Sequence, residues 1–189
     1  MGKPCSPIQL LAISGSLRAA SSNTVLLRAI SQLAPPGVRV ELYSALGELP
    51  HFNPDLEGKE PPVVRDFWSR IRGADGLLIS SPEYAHGVPG VLKNALDWLV
   101  SGEEFIAKPV ALLNASPRAT HAQASLSEIV TVMSGRIVHE ASIAVPLLGK
   151  NLDAAGILAH AEIAMALRGA LTAFVEVIER FRTQTQVPQ

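Results

Sequence analysis

The chain of 189 residues contains a single cysteine, Cys5. A lone cysteine excludes an internal disulfide framework and a cysteine-rich metal site, and it suits a reducing, cytoplasmic setting. An excess of charge is missing as well: 16 Lys and Arg against 17 Asp and Glu leave a formal net charge of -1. The basic residues are scattered, so the chain offers no nucleic-acid footprint. No apolar run approaches the roughly 18 residues of a membrane span. The opening residues lack the apolar stretch and cleavage site of a signal peptide. Met1-Gly2 with Ser6 matches the loose myristoylation pattern, but no polybasic patch accompanies it.

What is present is apolar: 48% hydrophobic residues against 17% charged ones. That is enough to bury a core, and the length suits one domain of ordinary size. Residues 8–13 (IQLLAI) form a short apolar run, followed at helical spacing by Val25, Leu26, Leu27, Ile30 and Leu33. Pro35-Pro36-Gly37 ends that helix, and residues 38–42 (VRVEL) alternate like a strand. After a loop over 47–62, residues 63–72 read as a helix and 76–80 (GLLIS) as a strand buried on both faces. Residues 91–100 read as a helix, 109–113 (PVALL) as another buried strand, and 122–133 as a helix. A fifth strand falls within 136–138 and 141–145, and a long final helix covers 161–182.

Apolar strands alternating with helices predict an α/β fold, a three-layer doubly wound five-stranded parallel sheet. Residues 1–189 read as one domain, with loose ends at 1–7 and 183–189.

In such a sheet, ligands bind outside the carboxyl ends of the strands. Three loops qualify. The first, SGSLRAASSNT, leads into a helix N-terminus, where free N–H groups and the dipole favour an anion. Ser16, Ser21, Ser22, Asn23 and Thr24 add neutral donors, and Arg18 adds a charged fork matched to phosphate. The same composition serves equally as an N-cap and turn, and the two roles are compatible.

The second loop, SSPEYAHGVPG, carries Tyr84, whose flat ring can stack, between rigid Pro82 and Pro89, with Gly87 allowing close approach. Glu83 reads as a cap or solvated carboxylate before a general base, and His86 as a packing residue before a proton carrier. The third loop, NASPRATHAQ, offers Ser116 for polar ring edges and Arg118 for a second anion or a helix cap. Lys93 and Asp97 suit an intrahelical ion pair, Trp98 a core or subunit contact, and Glu103-Glu104 a solvated turn.

Several chemistries lack their motif: G-x-G-x-x-G, the Walker loop, G-x-S-x-G and H-E-x-x-H are all missing. With neither a nucleophile–base pair nor a metal cluster, the three loops suit a phosphorylated, planar, mononucleotide-sized cofactor that brings its own reactivity. Flavin mononucleotide (FMN) fits that description.

Gly15-Ser16-Leu17-Arg18 with Ser21 and Asn23 resembles the G-S-L-R-x-x-S-x-N phosphate loop of the NADPH-dependent FMN reductase family. Pro82-Glu83-Tyr84 followed by residues 89–98 (PGVLKNALDW) resembles that family's P-E-Y-N-x-x-x-P-G-x-L-K-N-A-I-D-W segment. The resemblance implies a flavodoxin-like fold and noncovalent FMN. It implies phosphate contacts from Ser16, Arg18, Ser21 and Asn23, with Ser22 and Thr24 beside them, and ring contacts from Pro82, Glu83 and Tyr84. Ala85, His86, Gly87 and Ser116 complete the expected cofactor site. It implies ping-pong, two-electron reduction of quinones, azo compounds, free flavin or oxyanions such as chromate by NADPH or NADH. Hydride passes through flavin N5, and no side chain acts as acid or base. The expected partners are a small-molecule electron acceptor and further copies of the chain, as a homodimer or homotetramer.

Two positions depart from the pattern. Ala85 replaces the family's asparagine, removing a hydrogen bond of about 0.5–1.5 kcal/mol. The third loop lacks the family's frequent glycines. Two other roles suit the same fold: a flavodoxin-like electron carrier, disfavoured by the near-neutral charge, and a flavin-free interaction domain.

Overall fold

The computed structural model describes residues 6–147 and 149–185. The elements are β1 (Ile8–Ser14), α1 (Ser22–Gln32), β2 (Val38–Leu42), α2 (Pro62–Gly73), β3 (Gly76–Ser80), α3 (Gly90–Asp97), β4 (Pro109–Leu113), α4 (Thr120–Val132), β5 (Arg136–Ile137), α5 (Ala154–Ala159) and α6 (Ala161–Thr185). The strands form one sheet in the order β2-β1-β3-β4-β5. Every pairing is parallel. The fold is the flavodoxin-like α/β arrangement expected from the sequence.

Alternate residues of a strand point to opposite faces, so a sheet covered on both sides needs apolar residues throughout. Leu10 and Ala12 of β1, Leu78 of β3 and Ala111 and Leu113 of β4 pack in one layer with Leu26 of α1, Ile157 of α5 and Phe174 of α6. Leu11, Ile13, Leu77, Ile79, Val110 and Leu112 pack in the other, with Phe67 of α2, Leu92 of α3 and Leu126 of α4. Strand β2, at the edge, is only half-buried and alternates accordingly. Gly76 lets α6 lie directly on β3, since a Cβ there would come within 2.8 Å of both Phe174 and Ile178.

The fifth strand is shorter than expected. After Ile137 a 3-10 turn (His139–Ala141) interrupts it, and the chain rejoins β4 only at the bridge from Ala144 to Asn114. The Ser142 hydroxyl fills the gap, accepting from Leu112 N–H at 3.0 Å and donating to the Val138 carbonyl at 2.8 Å. Helix α5, capped by Asp153 on Gly156 N–H at 2.7 Å, was not anticipated.

Residues 183–185, expected to be loose, continue α6; 186–189 lie outside the described residues, as does Cys5. At the other end, Arg182 donates to the Ser6 and Pro7 carbonyls and pairs with Asp75 at 2.6 Å. Asp75 also accepts from Gln9 N–H at 2.7 Å. One clasp therefore joins residues 6–9, the start of β3 and the end of α6.

Glu104 corrects the solvated-turn expectation. Its side chain is only 7% exposed and pairs with Arg72 of α2, and its carboxylate lies against Gly102 of its own turn. Trp98 is core: its indole N–H donates to the Pro50 carbonyl at 2.8 Å and Phe52 packs edge-on against it. Lys93 and Asp97 form the expected pair at 2.5 Å.

Tyr43 leans on Phe67, with ring centroids 4.9 Å apart, and its buried hydroxyl has no hydrogen-bond partner among the described residues. Burial, aided by Asp66, pushes its pKa up to about 12. In the unfolded chain the phenol ionises near 10. Between those values the unfolded state has lost the proton and the folded state has kept it, so stability falls as pH rises. Tyr43→Phe is expected to hold or raise stability at pH 7, by removing an unsatisfied polar atom. Across pH 10–12 it should escape a loss on the order of 2 kcal/mol that the wild type suffers. Urea unfolding of both proteins along that pH series measures the difference.

Candidate functional site

The loops after β1, β3 and β4 emerge side by side because those strands are adjacent. The first begins at Gly15, whose N–H donates to the Ser80 carbonyl at 2.8 Å. A Cβ at Gly15 would lie 2.9 Å from Ser81 Oγ and 3.0 Å from a Leu92 methyl, so only glycine lets the loop pass this close to the end of β3. Ser16 Oγ accepts from Arg18 N–H at 3.3 Å, and Ser21 Oγ caps α1 through Thr24 N–H at 3.4 Å. Ser80 Oγ donates to Asn23 Oδ1 at 2.8 Å inside the protein, leaving the Asn23 amide N–H groups without a partner among the described residues. Thr24 shares a 2.8 Å hydrogen bond with Ser14 Oγ.

The second loop is fixed at two points. Glu83 Oε2 accepts from Ala122 N–H at 2.9 Å and so caps the first turn of α4. Tyr84 and Gly87 exchange both backbone hydrogen bonds around Ala85 and His86. Those two residues have φ of 49° and 60°, the left-handed region usual for Asn-Gly in such turns. The family's asparagine at 85 would suit this conformation better than alanine does. The His86 ring stacks on His121, with centroids 4.3 Å apart.

In the third loop, the buried side chain of Asn114 braces the backbone. Its Oδ1 accepts from Ser116 N–H at 2.9 Å and its Nδ2 donates to the Ala119 carbonyl at 3.2 Å. Between them, Ala119 N–H donates to the Ser116 carbonyl at 2.9 Å and closes a turn over Pro117 and Arg118.

These loops enclose a cleft of about 400 Å³. Ser16, Arg18, Ser21, Ser22 and Asn23 line it from the first loop. Pro82, Glu83 and Tyr84 line it from the second, joined by Ser81. Ser116 lines it from the third, with Ala115, Arg118 and Ala119. Four expected site residues are not in the lining: Thr24, turned to Ser14, and Ala85, His86 and Gly87 at the tip of the second loop. Ser81, a lining residue outside the expected set, was marked by its position at the end of an apolar strand.

The cleft's chemistry favours an anion. The Arg18 side chain, the Ser22 hydroxyl, the Asn23 side-chain N–H groups and the backbone N–H groups of Ser22 and Asn23 have no partner among the described residues. The one carboxylate in the lining, Glu83, faces the N-terminus of α4. The volume lies within the usual range for a small-molecule pocket, about 300–1,000 Å³. The residues therefore fit a phosphorylated planar ligand. Among the described residues there is no cluster of metal-ligating side chains, and no helix is long and apolar enough to cross a membrane.

Comparisons with known proteins bear on the family and the fold. A quinone reductase of Escherichia coli is 30% identical over 190 residues, covering 93% of this chain and 97% of that protein. An NAD(P)H-dependent FMN reductase of Pseudomonas aeruginosa is 45% identical over 112 residues, a match spanning 58% of this chain and 60% of that relative's length. The solved structure of FerB, a flavoenzyme NAD(P)H:(acceptor) oxidoreductase from Paracoccus denitrificans, superposes with a TM-score of 0.81 at 30% identity, covering 92% of this chain and 98% of that one. Residues 8–147 match the family described as NADPH-dependent FMN reductase, and the chain belongs to that family.

Proposed function

We propose that this protein is an FMN-dependent NAD(P)H oxidoreductase that reduces quinones and related small-molecule acceptors by two electrons. The observation that carries this reading is the donor-rich cleft built from three adjacent loops at the carboxyl end of the sheet. Family membership supports it.

FMN, when bound, supplies the hydride chemistry. The chain's part is to bind, orient and shield. The Arg18 guanidinium and the free N–H groups at the start of α1 hold the phosphate, helped by the Ser16, Ser21 and Ser22 hydroxyls. Ser80 fixes Asn23 so that its amide N–H groups face the same anion. Pro82, Glu83, Tyr84 and Ser116 border the ring.

The titratable groups of the lining are Arg18, Glu83, Tyr84 and Arg118, and Glu83 holds the Ala122 N–H with one of its two oxygens. Exposed apolar side chains on the first two loops, Leu17 at 62% and Tyr84 at 57%, support assembly as a homodimer or homotetramer. The single cysteine supports a cytoplasmic setting.

Purified protein mixed with FMN and desalted is expected to keep the absorbance bands of oxidised flavin, and NADPH without oxygen is expected to bleach them. A protein that keeps no flavin overturns the reading. Arg18→Ala is expected to weaken FMN binding by about 1.5–3 kcal/mol, the worth of a charge-assisted hydrogen bond, as read by fluorescence titration. Glu83→Ala should lower thermal stability by about 1 kcal/mol through loss of the α4 cap, whereas Glu83→Gln, which keeps an acceptor oxygen, should retain most of it. A pH–rate profile that shifts in Glu83→Gln would instead assign this carboxyl a proton.

A further inference from the structure

Arg118 is a second cation in the cleft, and nothing in the fold accounts for it. It sits two residues before α4, where a positive charge opposes the helix dipole and gives no stability. It forms no ion pair or hydrogen bond through its side chain with any described residue. Yet its backbone is held firmly. Pro117 and Arg118 occupy the two central positions of the turn closed by Ala119 N–H on the Ser116 carbonyl at 2.9 Å. Proline is favoured at the first of these positions. The buried side chain of Asn114 grips that turn at both ends. The braced turn fixes where the Arg118 backbone stands, so only the side chain has freedom left to lose on binding.

The loops carrying Arg18 and Arg118 follow β1 and β4, which are separated by β3. At strand spacing their roots lie roughly 10 Å apart. With Arg18 assigned to the cofactor phosphate, Arg118 is left facing whatever else enters the cleft. We infer that Arg118 is a specificity-determining residue that receives an anionic group of the second substrate, an inference that rests on the FMN reading above. Two sources carry such a group: the additional phosphate of NADPH, absent from NADH, and an acidic substituent on the acceptor.

The test uses flavin-loaded wild type, Arg118→Ala and Arg118→Lys. For each, kcat/KM is measured with NADPH and NADH, and then with a sulfonated and an uncharged naphthoquinone. FMN affinity is titrated in parallel. The inference expects at least one ratio, NADPH over NADH or sulfonated over uncharged, to fall about tenfold in Arg118→Ala and to recover in part in Arg118→Lys. Which ratio falls identifies the source of the anion. Both ratios unchanged would overturn the inference while leaving the FMN reading intact. Loss of FMN affinity in Arg118→Ala as large as that in Arg18→Ala would also overturn it, by giving Arg118 to the cofactor. Failure of the wild type to hold FMN would overturn both.

Discussion

Burying both faces of a parallel sheet leaves only its two ends and its edges in contact with water. Strands β1, β3 and β4 are apolar almost throughout because helices cover them on each side. Polar chemistry is thereby confined to the loops where the strands stop. Since all strands run the same way, the loops at the carboxyl ends lie together and lead into helix N-termini. The cleft, its donors and its charge all follow from that arrangement.

The ends of these strands are themselves built for the loops. Ser14, Ser80 and Asn114 close β1, β3 and β4, or follow directly, and all three are buried. Each binds part of a neighbouring loop or helix: Ser14 holds Thr24, Ser80 holds Asn23, and Asn114 holds the Ser116–Ala119 turn. Buried polar groups need partners, and here the partners are loop segments that would otherwise be mobile. The remaining donors, on Arg18, Ser22 and Asn23, are then presented by a rigid frame, the condition under which a charged ligand is bound at least entropic cost.

The doubly wound order is legible in the sequence because GLLIS and PVALL admit no polar face. Helix α6 is legible because Ile163, Leu167, Leu171, Phe174 and Ile178 hold one stripe over several turns. The interrupted β5 is not, since its continuity depends on the Ser142 hydroxyl standing in for a backbone group. Helix α5 is too short for its periodicity to register. The pairing of Glu104 is with Arg72, a partner 32 residues away, which local sequence does not reveal. In the site, the strand-end rule locates the three loops. It does not say which side of a loop faces inward, so Thr24 and residues 85–87 fall outside the lining while Ser81 falls within it beside Arg118, the residue read as suited to a second anion or a helix cap.

The two ends of the sheet are finished in opposite ways. At the amino end, Asp75 is matched by Arg182 and Gln9 N–H, and Lys108, whose ammonium pKa burial pushes down, donates to the Ala74 carbonyl at 2.7 Å. Charge and hydrogen bonding there are largely satisfied within the protein. At the carboxyl end, two helix N-termini and two arginines face one cleft, and the single lining carboxylate serves one of those helices. The second loop also holds Ala85 and His86 in left-handed backbone, at about 1–2 kcal/mol each. Uncompensated positive charge and strain lower stability unless something offsets them. The clasp among residues 6–9, 75 and 182 and the two apolar layers supply that offset away from the cleft. The carboxyl end is thus left short of negative charge, and an anionic ligand completes it.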